Sequence, residues 1–274
     1  MDIKLIALDM DGTLLDRDHS TVPARNVEAL RAAAERGVEI VIASGRSWSL
    51  IRETVTPLGL VRYALTANGA LTLDTAAGQV LDKVPMDRVQ CAAIVEALRR
   101  HSLAYELYAD GENYVQRNEL EGMREFALSP AFEEMFLRNV TLVDDMMDVV
   151  KTRLAEKFDI FYVPDQVRAP LLAELSATGP FSGAGALGTN LELTAAGANK
   201  GAALARLCER LDITPEQVMA FGDGDNDLEM LSWAGCSFAM GNAPEAVKAA
   251  AKRVTGANYE GGVGMAIEEY LLSR

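Results

Sequence analysis

The run from Ile3 to Leu15 starts as an apolar stretch and ends abruptly in two aspartates, Asp9 and Asp11. A short apolar run of this kind is typical of a buried strand. Because residues two apart on a strand point the same way, both carboxylates should project beyond the strand end, where Gly12 permits a sharp turn. Open parallel sheets bind ligands at this end of their strands, and two acids there suit a cation and a phosphoryl group. The alternative is that the aspartates only cap a strand-to-loop turn.

Strand and helix patterns alternate along the first 83 residues. This order predicts right-handed crossovers and a parallel sheet. Strands are expected at 3–9, 38–43 and 63–66, helices at 23–36 and 47–58, and a hairpin at 69–73 and 79–83.

The pattern changes at residue 84 and returns to strand–helix alternation at residue 191. We therefore predict an α/β fold in which residues 1–83 and 191–274 form a doubly wound parallel sheet and residues 84–190 form an inserted α+β domain. In the insert we expect helices at 87–101, 119–128, 144–156 and 166–177, and strands at 104–108, 113–116, 139–143 and 158–163. After the insert we expect strands at 217–221 and 236–240, and helices at 200–210, 228–234, 244–251 and 264–272.

Composition excludes several classes of protein. The formal net charge of −14 argues against a nucleic-acid partner, because phosphate backbones require basic surfaces. No apolar run has the length of a membrane span, and charges near the start of the chain interrupt any signal sequence, so we expect a cytoplasmic protein. We also expect a monomer or a weak homodimer. The three cysteines lack metal-type spacing, and the two histidines are too few for a histidine phosphatase or a His-rich metal hydrolase.

Polar groups stand at the ends of several predicted strands. If these strands share one parallel sheet, the groups gather at one edge of it. Lys200 is placed at a helix start, where the helix dipole disfavours a lysine, and this weakens its interpretation as a solvated surface residue. The groups are Asp9 and Asp11, Ser44-Gly45-Arg46, Asn68-Gly69-Ala70, Lys200, and Asp223 with Asn226 and Asp227.

The order and spacing of these groups resemble the haloacid-dehalogenase (HAD) superfamily of phosphohydrolases, over the whole chain. The resemblance implies a Rossmann-like core, and the insert looks like the type-IIB cap of the Cof-like sugar-phosphate phosphatases. The four signatures are Asp9-x-Asp11-Gly12-Thr13, Ser44-Gly45-Arg46, Lys200-Gly201 and Gly222-Asp223-x-x-Asn226-Asp227, and Asn68-Gly69-Ala70 and Gly241-Asn242-Ala243 match the subgroup.

The resemblance implies a catalytic role for three residues. Asp9 would be the nucleophile that becomes an aspartyl-phosphate, although a metal ligand alone is the other interpretation. Asp11 would act first as general acid and then as general base, because one group must serve both half-reactions. Lys200 would balance the charge of the phosphate and of Asp9.

The expected cofactor is Mg²⁺, which prefers a few oxygen ligands together with waters and substrate phosphate. Asp9, the backbone carbonyl of Asp11, and Asp223 would ligate the ion, and Asp227 would either ligate it or orient its waters.

The resemblance also implies a phosphate-binding set. The Ser44 hydroxyl and the Gly45 amide match donors to the phosphoryl oxygens, although Ser44 could instead be a helix N-cap. Asn68 and Asn226 belong to the same set. Arg46 contacts the substrate or forms a surface salt bridge.

These residues predict a Mg²⁺-dependent phosphatase of small phosphorylated metabolites, such as sugar phosphates. The alternatives are a phosphomutase of the same fold and a catalytically idle protein that binds a phosphorylated ligand. A closing cap would exclude water and contact the leaving group, with Tyr105, Glu106, Tyr108 and Arg117 as candidates. Residues 183–188 fit a dinucleotide-binding pattern by letter, but a strand pattern follows instead of a helix, so no such cofactor is expected.

Overall fold

Two β-sheets organise the computed structural model, which describes residues 2–124, 129–184 and 189–273. The strands of the main sheet are β1 (Leu5–Leu8), β2 (Glu39–Ala43), β3 (Val61–Thr66), β4 (Leu71–Asp74), β5 (Gln79–Lys83), β12 (Val218–Gly222), β13 (Cys236–Ala239) and β14 (Arg253–Val254). The strands of the small sheet are β6 (Tyr105–Ala109), β7 (Glu112–Gln116), β8 (Val140–Val143), β9 (Ala155–Ile160), β10 (Phe181–Ala184) and β11 (Leu191–Ala195).

Helices connect these strands and cover the sheets. They are α1 (Ala24–Glu35), α2 (Trp48–Val55), α3 (Arg88–Arg100), α4 (Leu120–Arg124), α5 (Pro130–Asn139), α6 (Met146–Thr152), α7 (Asp165–Ala177), α8 (Lys200–Leu211), α9 (Leu228–Trp233), α10 (Glu245–Ala250) and α11 (Gly262–Ile267). Within the described ranges, no helix has both the length and the apolar character that crossing a membrane requires.

The main sheet has the strand order β14-β13-β12-β1-β2-β3-β4-β5. The strands from β14 to β3 pair in parallel, and β4 and β5 extend the sheet as an antiparallel hairpin. Side chains alternate across the sheet, so Ile6 and Leu8 join a core with α1 and α11, whereas Leu5 and Ala7 join a second core with α8 and α9. Helices on both faces of a parallel sheet confirm the predicted doubly wound α/β class.

Helices α3, α6 and α7 cover one face of the small sheet, and α5 packs against part of the other face. The strand order of the sheet is β10-β11-β9-β6-β7-β8. Tyr105, Leu107 and Phe158 point into an apolar core that α3, α6 and α7 cover. The alternate residues on the same strands face the main sheet, so the register of the small sheet decides which side chains oppose the strand ends of the main sheet.

The inserted segment ends later than expected. The boundary between residues 190 and 191 falls just before β11, yet β11 pairs with β9 and β10, with Leu191 opposite Ile160. The insert therefore extends to residue 195 at least. The apolar alternation of residues 191–195 suits a strand of either sheet, because a local pattern does not identify the pairing partner.

The structure of the insert differs from the sequence analysis at two places. Residues 155 and 156, expected in a helix, begin β9. Helix α5 was not predicted, although Ser129 caps it by accepting a hydrogen bond from the Phe132 amide (3.0 Å) and Pro130 starts it, which is a usual N-terminal pair. Residues 125–128 of the expected helix at 119–128 and residues 185–188 of the dinucleotide-like pattern lie outside the described residues.

The aromatic stack in the main core gives a prediction about stability. The Phe238 ring lies 5.1 Å from the ring of Phe221 and 5.1 Å from that of Tyr270, and its side chain is buried. Phe238→Ala should lower the free energy of unfolding by about 3–5 kcal/mol, because it leaves a cavity at this stack. Val89→Ala, at a residue 78% exposed, should change it by less than about 0.5 kcal/mol. Urea unfolding measures both, and equal losses would contradict the packing role.

Candidate active site

The carboxyl ends of β12, β1, β2 and β3 lie side by side at one edge of the main sheet. Asp9 directly follows β1, Ser44 follows β2, and Asp223 follows β12. Because the four strands are parallel neighbours, side chains that are distant in sequence meet at this edge. The structure thus places the predicted residues of each strand end in one region.

Lys200 joins two of the aspartates. Its Nζ donates to Asp9 Oδ1 at 2.6 Å and to Asp227 Oδ1 at 2.7 Å, and its side chain is fully buried. Asn199 caps helix α8 by accepting a hydrogen bond from the Ala202 amide (2.7 Å), and this fixes the first helical residue, Lys200. The second oxygen of Asp227 accepts the backbone amides of residues 223 and 224, at 2.9 Å each.

Asp223 completes a triangle of carboxylates with Asp9 and Asp227. One oxygen of each of the three lies within 4.8 Å of the others. The Thr13 hydroxyl donates to Asp223 Oδ1 at 2.8 Å, which holds its side chain in place. Gly12 has a φ of +76°, and a Cβ there would come within 2.1 Å of Asp223 Oδ2, so only glycine allows this approach.

The charges of this triangle are not balanced by Lys200 alone. Burial raises the pKa of Asp9 well above its usual value and the charges of Asp227 and Asp223 raise it further, although Lys200 lowers it. Burial and the charge of Asp227 raise the pKa of Asp223 to about 6. Burial alone would lower the pKa of Lys200, but the charges of Asp227 and Asp9 raise it. Because the three carboxylates lie close together and the negative charges around Asp9 and Asp223 raise the pKa values of those two, the triangle is a set of oxygens that could hold a divalent cation.

Asp11 is held by the side chains of Arg46 and His19. Arg46 Nε donates to Asp11 Oδ2 at 2.8 Å, its NH2 group bonds the other oxygen, and His19 Nδ1 lies 2.9 Å from Oδ1. Burial alone would raise the pKa of Asp11, but the Arg46 charge and the hydrogen bonds from His19 and Arg46 lower it to about 2. Arg46 itself is buried and its guanidinium lies over the Phe132 ring, so of the two alternatives the salt bridge is present, but it is partly buried and does not lie at the surface.

The predicted phosphate-binding residues lie on the loops after β2, β3 and β12. The buried Ser44 hydroxyl accepts the Arg46 amide at 3.1 Å. Asn68 has a left-handed φ of 55°, and its Oδ1 accepts Asn226 Nδ2 at 3.0 Å. A Cβ on Gly45 would lie 3.0 Å from Asn68 Oδ1, which shows how closely the first two loops approach. The structure therefore brings Ser44, Gly45, Asn68 and Asn226 together.

A cavity of about 490 Å³ separates these loops from the small sheet. Its floor includes Asp9 and Asp11 of the main sheet's strand ends, and its ceiling is the face of the small sheet that is turned toward the main sheet, with Phe132 of α5 also lining the cavity. Of the four candidate leaving-group contacts, Glu106 and Tyr108 line this cavity, since they are two residues apart on β6. Tyr105 points into the opposite core, and Arg117 pairs with Asp144 at the surface, so the expectations for those two are wrong.

Several residues of the site were not singled out from the sequence. Thr13 and Asn242 contact Asp223, and both lie within motifs already noted, so their positions carried a usable signal. His19 had no comparable signal, because the contact with Asp11 depends on the left-handed backbone of His19, with a φ of 57°. Lys157 on β9 was also missed, although charged residues that alternate in a buried strand were a possible indication.

Comparisons with known proteins agree with this geometry. The sequence model of one protein family, the haloacid dehalogenase-like hydrolases, matches residues 6–267 of the chain. The chain is 34% identical over 273 residues to the 5-amino-6-(5-phospho-D-ribitylamino)uracil phosphatase YcsE of Bacillus subtilis (strain 168), covering 99% of this chain and 97% of that protein. It superimposes on a haloacid dehalogenase-like hydrolase from B. subtilis with a TM-score of 0.86, at 28% identity, covering 98% and 100% of the two chains. A sugar phosphatase of HAD subclass IIB shares the fold, with a TM-score of 0.81 at 24% identity over 97% and 98%.

The buried lysine gives a prediction about stability. Lys200→Met should lower the free energy of unfolding by about 3–5 kcal/mol near pH 7 without divalent cations, because it leaves Asp9 and Asp227 buried without their cation. Lys151→Met is the matched control, since the Lys151 side chain is 68% exposed and pairs only at the surface. Urea unfolding compares the two, and an equal effect in both variants would contradict the role assigned to Lys200.

Proposed function

The chain belongs to the haloacid dehalogenase-like hydrolases and is a phosphatase of that family, and on this premise we propose that it hydrolyses small phosphomonoesters through a phosphorylated Asp9. The observation that carries the proposal is the contact of Lys200 with Asp9 inside a triangle of carboxylates at the strand ends. A nucleophilic carboxylate next to a fixed cation and a cation-binding set is what transfer of a phosphoryl group requires.

The substrate is a small phosphorylated metabolite, and we propose sugar phosphates or related phosphorylated metabolites. The relative YcsE is named for a phosphorylated ribitylamino compound. A cavity of about 490 Å³ is within the usual range for small-molecule sites and leaves room for a group of that size beside the phosphate.

In the first half-reaction, Asp9 attacks phosphorus. Lys200 binds Oδ1, which leaves the second oxygen for the attack. A bond forms between that oxygen and phosphorus, the bond from phosphorus to the ester oxygen breaks, and Asp11 protonates the departing oxygen. In the second half-reaction water attacks phosphorus, Asp11 takes its proton, and the bond to Asp9 breaks to release inorganic phosphate.

The contacts of Asp11 suit one of its two roles directly. Arg46 and His19 hold Asp11 ionised, as a general base must be when water attacks. Delivery of a proton to the leaving group requires the pair with Arg46 to open, because a carboxyl group with a pKa of about 2 carries no proton near neutral pH.

The carboxylate triangle fits a Mg²⁺ ion. Asp9 and Asp223 would hold it together with the backbone carbonyl of Asp11, since buried, mutually repelling acids are relieved by a cation. Asp227 would orient the waters of the ion and would not ligate it, because Lys200 and two backbone amides already bind its oxygens. When bound, Mg²⁺ would neutralise charge on the phosphoryl oxygens.

The remaining predicted residues would bind the phosphoryl group. The Ser44 hydroxyl, the Gly45 amide and the side-chain amide of Asn226 lie on loops that meet at the same strand ends as Asp9. Asn68 would position Asn226, since their side chains share a hydrogen bond of 3.0 Å. We also propose that the main sheet is a core domain and the small sheet a cap domain, with the cavity between them as the reaction chamber.

The nucleophile is tested by substitution. Asp9→Asn should lower phosphate release at least about 10³-fold over a panel of phosphorylated metabolites, because an amide cannot form the acyl phosphate. Asp144→Asn, at a side chain 90% exposed, should behave like the wild type. Intact-mass measurement during turnover should show one added phosphoryl group on the wild type and none on Asp9→Asn.

Other outcomes of that experiment discriminate between the functions. Near-wild-type turnover by Asp9→Asn would disprove the nucleophile. Isomerised sugar phosphate without free phosphate would indicate a phosphomutase, and binding of phosphorylated compounds without any reaction would indicate an idle binding protein.

The metal site is tested without an activity assay. Mg²⁺ should raise the melting temperature of the wild type, since a ligand at about 100 times its Kd stabilises the folded state by about 2.7 kcal/mol. Asp223→Asn should remove this response and stabilise the metal-free protein, because it eliminates one of three repelling carboxylates. Asp144→Asn should keep the full response, and a wild-type melting temperature insensitive to Mg²⁺ would overturn the site.

A further inference from the structure

The ceiling of the cavity carries a row of three acids on adjacent strands. Glu106 of β6 is the register partner of Asp159 on β9, and Asp159 is the partner of Glu192 on β11. Directly opposed residues in an antiparallel sheet point to the same face, and all three line the cavity. We call Glu106, Asp159 and Glu192 the acid row.

Like charges directly opposed on neighbouring strands are unfavourable, so the acid row needs compensation. Lys157 supplies part of it, with Nζ 3.0 Å from Asp159 Oδ2 and 2.9 Å from Glu192 Oε1. Its third hydrogen bond goes to the Gly45 carbonyl at 2.9 Å. An ammonium group has three N–H donors, and here each has an acceptor.

Glu106 is the member of the row that lacks a cationic partner at bonding distance. It is 2% exposed and one of its oxygens accepts a hydrogen bond from Asn113. Among the residues that the structure describes, no hydrogen bond reaches its other oxygen. Burial and the charge of Asp159 raise the pKa of Glu106 well above its usual value, and the charge of Lys157 and the hydrogen bond from Asn113 lower it. A cation or an N–H donor of a bound ligand at the second oxygen would favour the ionised form of Glu106.

The cavity wall has few positive charges with free N–H donors that could bind a second anionic group of the substrate. Among the described residues that line the cavity, the side chains that can carry positive charge are Lys157, Arg46 and His19, and His19 Nδ1 lies 2.9 Å from Asp11 Oδ1. Lys157 has no donor left, and Arg46 is bound to Asp11 and to the His19 carbonyl. The ceiling therefore presents acceptors and negative charge to whatever part of the substrate lies away from the phosphate.

We propose that the acid row selects the leaving group by charge: it takes phosphate esters whose distal part presents hydroxyl or ammonium donors, and it rejects esters that carry a second anionic group there. This inference rests on the proposed phosphatase function and narrows its substrate class. Glu106 is the specificity-determining residue, because its free oxygen accepts the donor of the leaving group.

Three hexose derivatives of equal size test the charge rule. Glucitol 6-phosphate, 1-amino-1-deoxyglucitol 6-phosphate and 6-phosphogluconate share an open six-carbon chain and differ at C1 by a hydroxyl, an ammonium and a carboxylate. For the wild type, kcat/KM for the carboxylate compound should be at least about tenfold lower than for the other two, which corresponds to about 1.4 kcal/mol. A compound that is not turned over is ranked instead as a competitive inhibitor of p-nitrophenyl phosphate hydrolysis.

A variant pair assigns the effect to Glu106. In Glu106→Gln, the preference for 1-amino-1-deoxyglucitol 6-phosphate over 6-phosphogluconate should shrink by about tenfold, because the charge is removed while the shape is kept. Glu96→Gln removes the same charge from the far side of the small sheet, on α3, and should leave the preference unchanged. Equal shifts in both variants would overturn the assignment to Glu106.

The two levels of inference fail differently. If neither p-nitrophenyl phosphate nor any of the three hexose derivatives releases phosphate, the proposed function itself is wrong. If p-nitrophenyl phosphate is hydrolysed but 6-phosphogluconate equals or exceeds the other two compounds, or none of the three is turned over or inhibits, the charge rule alone is overturned. The wild-type ranking decides this even if Glu106→Gln fails to fold.

Discussion

The contact of the buried Lys200 ammonium with Asp9 and Asp227 is the interaction on which the rest of the site depends. Removal of one partner from such a buried ionic group leaves uncompensated charge, so each member requires the others. The contact ties the end of β1 to the start of α8 and to the loop after β12, which are far apart in sequence. The same buried charges therefore govern both the stability of this edge of the sheet and the chemistry proposed for the site.

Buried charged groups also connect the loops of the main sheet to the small sheet across the cavity. Lys157 reaches from β9 to the Gly45 carbonyl, and Glu192 accepts a hydrogen bond of 2.5 Å from Asn68. The loops after β2 and β3 thus contact the ceiling through charged groups. Because these groups are buried and already paired, the position of the small sheet and the arrangement of the loops cannot vary independently.

The sequence was a good guide wherever a motif is local. The apolar run before Asp9 and the glycine at Gly12 indicated a strand end with a tight turn, and the structure shows both. It was a poor guide inside the insert, where residues 191–195 were assigned to the core and helix α5 was missed. A strand pattern reports which residues are apolar on alternate sides, but pairing depends on the whole sheet.

Hydrophobic periodicity and short motifs are encoded locally, and they were enough to predict the strand–helix order, the parallel main sheet and the residues that gather at its edge. The pairing of Asp11 with Arg46 and His19, and the fact that Glu106 faces the cavity whereas Tyr105 does not, depend on contacts between distant parts of the chain. The reason is physical: a shift of one residue in register exchanges the two faces of a strand, and a contact between distant side chains depends on how the two sheets meet.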